Sequence, residues 1–115
     1  MTSTFFGLSY DSNDAAAVAE FWSGVLGGTV AAGASPDNAA VEASDAWPRI
    51  AFHRVPEGKT VKNRLHLDLA AADFDAEADR LLALGARRLN DVAVGETRWT
   101  TFADIEGNEF DLIAG

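Results

Sequence analysis

The chain predicts an α+β fold made of two tandem βαβββ modules. Three observations carry that expectation. The segment Phe21-Trp22-Ser23-Gly24-Val25-Leu26-Gly27-Gly28 returns as Arg80-Leu81-Leu82-Ala83-Leu84-Gly85-Ala86, with the two Leu-Gly steps 58 residues apart (84 − 26), about half of 115. Each copy follows an Ala-rich stretch of helical period that begins just after an aspartate, Asp14 or Asp73. A short alternating run precedes each of those aspartates. A repeat of this length is the signature of one small supersecondary unit used twice, and it directs attention to positions that correspond in the two copies.

Taken in order, Thr4 to Tyr10 alternates and predicts a strand. The capping cluster Asp11-Ser12-Asn13-Asp14 introduces a helix over Ala15 to Leu26, stopped by Gly27-Gly28. Candidate strands follow at Thr29 to Ala32, Ala39 to Ala43 and Arg49 to Val55, separated by the turn-rich Gly33 to Asn38 and Asp45-Ala46-Trp47-Pro48. The polar Pro56 to Asn63 reads as the linker between modules. The second copy gives a strand at Arg64 to Leu69, a helix at Phe74 to Leu84, and strands near Arg87 to Leu89, Arg98 to Phe102 and Glu109 to Ile113. Gly107-Asn108 predicts the tight turn before the last strand. Residues 1 to 115 are therefore expected to form a single domain of modules 1–57 and 62–115.

Composition narrows the function classes. With 48% hydrophobic residues the chain can bury one core, whereas each half alone is small for that task. The absence of cysteine excludes disulfides, thiolate metal sites and a cysteine nucleophile. Neither a basic leader nor an apolar run of about 20 residues is present, so a cytoplasmic protein without a membrane span is expected. A net charge of −9 repels a phosphate backbone, which argues against nucleic acid and anionic membrane as partners. No glycine-rich run opens a helix with the Lys and Ser or Thr of a phosphate loop.

Strand parity leads from fold to chemistry, because successive side chains point to opposite faces of a sheet. In Leu65-His66-Leu67-Asp68-Leu69 the leucines take one face and His66 and Asp68 the other. Ile50 and Phe52 face the helix side of their strand, which turns His53 away from it. Phe110 and Leu112 do the same in theirs, leaving Glu109 and Asp111 on the second face. The repeat offset makes Asp111 and His53 corresponding positions, while the offset of the helix caps (73 − 14 = 59) makes Gly7 the counterpart of His66. Trp22 fits an apolar helical stripe and is expected to pack. Trp99 would give a planar or hydrophobic ligand an aromatic wall if it faced a pocket, and its strand leaves the parity open. An anionic substrate would need a cationic clamp, for which Arg49, Arg64 and Arg98 are the arginines near predicted strands.

The paired βαβββ pattern, the Phe-Trp…Leu-Gly-Gly helix end, the stretch Lys62-Asn63-Arg64-Leu65-His66-Leu67-Asp68-Leu69 and the closing Asp104-Ile105-Glu106-Gly107-Asn108-Glu109-Phe110-Asp111-Leu112 resemble the vicinal oxygen chelate superfamily. The small glyoxalase-like domain proteins are the nearest match within it. The resemblance spans essentially the whole chain and implies two modules curled into a cup of sheet with the helices outside. It implies a metal held by one residue from the first and last strands of each module, places that fall on Gly7, His53, His66 and Asp111. Gly7 offers no side chain, so the four-ligand pattern is incomplete.

Two histidines and a carboxylate are the ligand set of open iron or manganese sites and also suit zinc, with nickel a further option. His53, His66 and Asp111 are the expected metal ligands; Asp68 or Glu109 is the expected orienting group or general base. Two functions stay open on the sequence. One is a metal-dependent lyase, isomerase or dioxygenase acting on a small vicinal-oxygen substrate. The other is a metal-free small-molecule binding or sequestering protein of the resistance type. A homodimer is expected for either, since modules of this kind can pair within one chain or across two.

Overall fold

In the computed structural model, which describes residues 2–114, the chain forms two compact units, the first reaching Gly58 and the second starting at Lys59. The first contains β1 (Gly7–Ser12), α1 (Ala15–Leu26), β2 (Asn38–Val41) and β3 (Arg49–Arg54). Its sheet runs β1-β3-β2, with β1 parallel and β2 antiparallel to β3. The second contains β4 (Asp68–Ala71), α2 (Phe74–Leu84), β5 (Arg87–Val94), β6 (Thr97–Ala103) and β7 (Glu109–Ala114), in the order β4-β7-β6-β5, with β4 parallel to β7 and the other pairs antiparallel.

Both helices occupy their expected spans because both ends are chemically specified. The Asp14 carboxylate accepts from the Ala17 N–H at 3.2 Å, and the Asp73 carboxylate from the Ala76 N–H at 3.1 Å. Each occupies one of the amides that the first helical turn leaves without a partner. At the other end Gly27 and Gly85 take φ of 72° and 115°, the left-handed region where a glycine closes a helix without steric cost.

The apolar faces meet their helices as parity requires. In the first unit Trp22, Val18 and Phe52 are fully buried, and Tyr10 stacks on Phe52 at 5.4 Å and on Trp22 at 6.4 Å between ring centroids. In the second, Phe102 and Phe110 are fully buried and stacked at 5.7 Å, with Leu81 and Leu112 buried as well. Large side chains buried at this level dominate the stability of so small a chain.

Several strands differ from expectation: β1 occupies Gly7–Ser12 rather than Thr4 to Tyr10, so Asp11 and Ser12 of the expected capping cluster lie within the strand. Thr29 to Ala32 contributes a single bridge, Val30 to Val41, flanked by Ala31 N–H to Ala40 O at 2.8 Å and Glu42 N–H to Thr29 O at 2.9 Å. Its alanines have little to pack on a pleated surface, and Gly33 turns the chain away at φ 85°. The run at Arg87 extends to Val94, and an irregularity between Arg88 and Asn90 keeps it in pairing with β6 past the point where its alternation fails. The ladder of β4 starts only at Asp68, although Asp111 N–H to Leu67 O at 2.9 Å already fastens the residues before it.

Candidate metal centre and the faces that carry it

β7 is delivered by a turn that its own sequence builds. The Asp104 carboxylate accepts from the Glu106 and Asn108 amides at 2.8 and 2.9 Å and from the Asn108 side chain at 2.9 Å, while Gly107 takes φ 89°. Asn108 stays at negative φ, so glycine alone makes the left-handed step. Beyond the turn, Asp111 pairs in register with Asp68 on β4 and with Thr101 on β6. Register partners share a face, so Asp68, Asp111 and Thr101 form one row across three strands.

His66 joins this row from the segment leading into β4. Its Nδ1 lies 2.8 Å from Asp68 Oδ1 and 3.7 Å from Asp111 Oδ2. An ionised carboxylate can only accept, so Nδ1 carries the proton and Nε2 of the neutral ring keeps a free lone pair. The Thr101 hydroxyl donates to Asp111 Oδ1 at 2.7 Å, which fixes the carboxylate plane. One possible ligand atom from each of His66, Asp68 and Asp111 lies within 4.8 Å of the others. With Asp68 engaged on the ring, His66 Nε2 and Asp111 Oδ2 are the donors left for an ion, and one imidazole with a carboxylate and water oxygens suits Mn(II) or Fe(II).

Glu109, an expected catalytic candidate, is engaged otherwise. Its carboxylate accepts from the Asn63 N–H at 3.0 Å and pairs with the Lys59 ammonium at 2.9 Å, and its own N–H donates to Asn63 Oδ1 at 3.1 Å. Burial pushes its pKa up, but the Asn63 amide and the Lys59 charge outweigh this and hold it below the ordinary value. Residues 59–63 are thereby clasped to β7. A folded-state pKa below the unfolded one stabilises the protein above the usual carboxylate range, and the gain disappears as pH falls through the folded value. Glu109→Gln is therefore expected to cost about 2 kcal/mol near neutral pH, with the difference from wild type fading below about pH 4; urea titrations at pH 7 and pH 3.5 check both parts.

The remaining expected residues fall as follows. Trp99 pairs with Ile113, two positions from the Thr101–Asp111 pair, so the register puts it half-buried on the same face as Asp111. Arg98, on the opposite face, lies 4.8 Å above the Phe74 ring centroid. His53 belongs to the first unit, where its Nδ1 pairs with Asn38 Oδ1 at 2.9 Å and it stands in register with Asn38 and Asp11. Gly7 begins β1 opposite Arg49, and a Cβ built there would meet the Arg49 carbonyl oxygen at 2.6 Å.

Register also revises the correspondence between modules. Asp111 pairs with Asp68, and its counterpart His53 pairs with Asp11, so Asp11 answers to Asp68 and Ser9 answers to His66. Counting back from the helix caps gave Gly7 because the path from strand to cap is two residues shorter in the first unit, Asp11 to Asp14 against Asp68 to Asp73. Thr101 and Asn38 were not foreseen either. Their signal was present only as polar residues in alternating strands, and choosing them needs knowledge of which strands are neighbours.

A family model described as a glyoxalase-like domain matches residues 7–113. No curated protein matches the chain. Among solved structures, one similar fold is the genomically encoded fosfomycin resistance protein FosX of Listeria monocytogenes, described as complexed with Mn(II) and 1S,2S-dihydroxypropylphosphonic acid. It has a TM-score of 0.77 and 18% identity over 100% of this chain and 92% of that one. Another is a glyoxalase/bleomycin resistance protein/dioxygenase family enzyme of Burkholderia phytofirmans, with TM-score 0.74 and 16% identity over 93% and 94% of the two chains. A third is lactoylglutathione lyase of Agrobacterium tumefaciens, with TM-score 0.68 and 13% identity over 100% and 96%. Among the described residues no helix is long and apolar enough to cross a membrane.

Proposed function

Because the chain belongs to the glyoxalase-like domain family, we propose that it is a metal-dependent enzyme of the vicinal oxygen chelate type, acting on a small substrate with adjacent oxygens. The observation that carries this reading is the convergence of His66, Asp68 and Asp111 within 4.8 Å of one another. His66 and Asp111 hold the ion, and Mn(II), which the FosX relative was described with, is the first candidate. Bound there, a divalent ion polarises a substrate carbonyl or acidifies a water.

The chain's own residues supply position and charge. Asp68 holds the proton on His66 Nδ1 and so presents Nε2, the arrangement that carboxylates commonly give ligand imidazoles. Thr101 occupies Oδ1 of Asp111 and leaves Oδ2 toward His66. Trp99, on the same face, supplies an apolar wall for the substrate. Glu109 acts by fastening residues 59–63 to β7 rather than by moving a proton. We place the protein in the cytoplasm and keep the homodimer in this reading: Phe5 and Phe6, 73% and 83% exposed, are apolar side chains of the kind a subunit contact covers.

The test is the Mn(II) stoichiometry of untagged protein by calorimetry and elemental analysis. Near one ion per chain is expected. Failure to bind Mn(II), Fe(II), Zn(II) or Ni(II) sinks the metal-dependent reading and leaves the metal-free binding protein, whose search would turn to aromatic and other small ligands.

A further inference from the structure

Of the two ligands proposed above, Asp111 lies within β7, whereas His66 belongs to no ladder. Pairing of β4 begins at Asp68, two residues later, and the chain bends at Arg64 and Leu65 just before the imidazole. Neither contact of the ring fixes it in space. Asp68 lies two residues along the same segment and travels with it, and Asp111 Oδ2 at 3.7 Å is beyond hydrogen-bond distance. What holds His66 beside Asp111 is therefore the backbone on either side of it.

Both backbone anchors stand on β7. Downstream, the Leu67 carbonyl accepts from the Asp111 N–H at 2.9 Å. Upstream, Asn63 and Glu109 exchange two bonds: the Asn63 carboxamide oxygen accepts from the Glu109 N–H at 3.1 Å, and the Asn63 N–H donates to Glu109 Oε1 at 3.0 Å. Only residues 64–66 span the interval, so His66 rides on a short arch whose feet rest on positions 109 and 111 of the strand that bears the other ligand. The two upstream bonds are not equivalent. The first ties Asn63 to main chain through a short side chain; the second passes through the longer Glu109 side chain, whose same Oε1 also takes the Lys59 ammonium at 2.9 Å. The half-buried Asn63 carboxamide is thus the stiffer support, with fewer torsions left to move.

We propose that Asn63 is a positioning residue for the metal centre: its carboxamide oxygen, by gripping the Glu109 N–H, sets the His66 ring beside Asp111 before any ion arrives. The inference deepens the metal-dependent reading of this site and rests on it only for the Mn(II) measurement. Removing the carboxamide leaves the Glu109 N–H without its acceptor and hands the upstream end of the arch to the Glu109 side chain alone. The ring then samples many positions, and an ion that binds must first order it, an entropic cost that the anchored arch avoids. Asn63 touches neither ion nor substrate in this account. It acts only through where His66 stands.

The test begins in protein freed of divalent ions on a chelating resin, where metal binding plays no part. Nuclear Overhauser cross-peaks between the His66 ring protons and the Asp111 side chain read the separation that the arch fixes. In Asn63→Ala these cross-peaks are expected to be lost, and Asn63→Asp, whose carboxylate still accepts from the Glu109 N–H, is expected to restore them in part. A glycine inserted between Arg64 and Leu65 keeps both feet but lengthens the arch, and the same loss is expected. Asp73→Ala controls for stability alone: it uncaps α2 in the same unit and is expected to leave the cross-peaks unchanged. In a Mn(II) titration Asn63→Ala is expected to bind about 10–100-fold more weakly than wild type, and Asp73→Ala as wild type does. Cross-peaks unchanged in Asn63→Ala, or lost equally in Asp73→Ala, overturn the positioning role; where Asn63→Ala does not fold, the insertion variant decides in the same way. A wild type that binds no Mn(II), yet shows cross-peaks that Asn63→Ala alone removes, overturns the metal-dependent reading and upholds the arch.

Discussion

His66→Ala is expected to abolish stoichiometric Mn(II) binding, a loss of more than ~100-fold in affinity, while leaving the thermal midpoint nearly unchanged. The size follows from removing a ligand atom itself, since disturbing only the groups around a ligand already costs about 10–100-fold. The unchanged stability follows from position: His66 lies before the β4 ladder, and its side chain is 42% exposed. An exposed substitution away from caps and core usually shifts stability by no more than about 0.5 kcal/mol. Asp111→Ala is the poorer test, because Asp111 is buried to 9% exposure and its loss strands the Thr101 hydroxyl. Asp68→Asn and Thr101→Val belong to the intermediate class, with affinity falling about 10–100-fold. Isothermal titration with Mn(II) ranks all four proteins. A His66→Ala variant that binds as tightly as wild type would remove His66 from the site and the proposed chemistry with it.

The ranking depends on features that differ in how far the sequence disclosed them. Both helices were legible to the residue, because Asp14, Gly27, Asp73 and Gly85 are local devices that act on their own backbone. Parity was legible in part: His66 and Asp68 meet, as the Leu-His-Leu-Asp-Leu alternation required, but Leu65, before the start of β4, is 66% exposed instead of packed with the other leucines. The strand at Thr29 to Ala32 was over-read because alanine alternation says little about pairing, and only Val30 bridges. What the sequence could not carry was register. Thr101 meets Asp111, and Asn38 meets His53, through strand neighbourhoods set by long-range pairing. Trp99 shows the same limit: its face became known only when Ile113 was found opposite it.

Register also changes what the missing fourth ligand means, and Gly7 provides the second large effect. Gly7→His, the substitution that the cap-based correspondence would suggest for completing a ligand set, is expected to destabilise the protein by about 3 kcal/mol, at the upper end of overpacking costs. The obstacle is backbone: a Cβ at residue 7 would stand 2.6 Å from the Arg49 carbonyl oxygen, closer than real Cβ contacts come, and neither atom sits at the end of a flexible side chain. Relief requires β1 to move away from β3, loosening the parallel pairing that runs from Gly7–Arg49 to Ser12–Arg54. Even Gly7→Ala carries most of this cost, since the clash begins at Cβ. Ser9→His is the control, on the same strand and the same exposed face but at the position that register matches to His66, and it is expected to stay within about 0.5 kcal/mol of wild type. Urea denaturation of the three variants separates the two accounts. If Gly7→His were as stable as Ser9→His, the glycine would be only an absent ligand; a large gap between them means that close approach of β1 to β3 excludes any side chain there, and that the position to examine for ligand chemistry on this strand is Ser9.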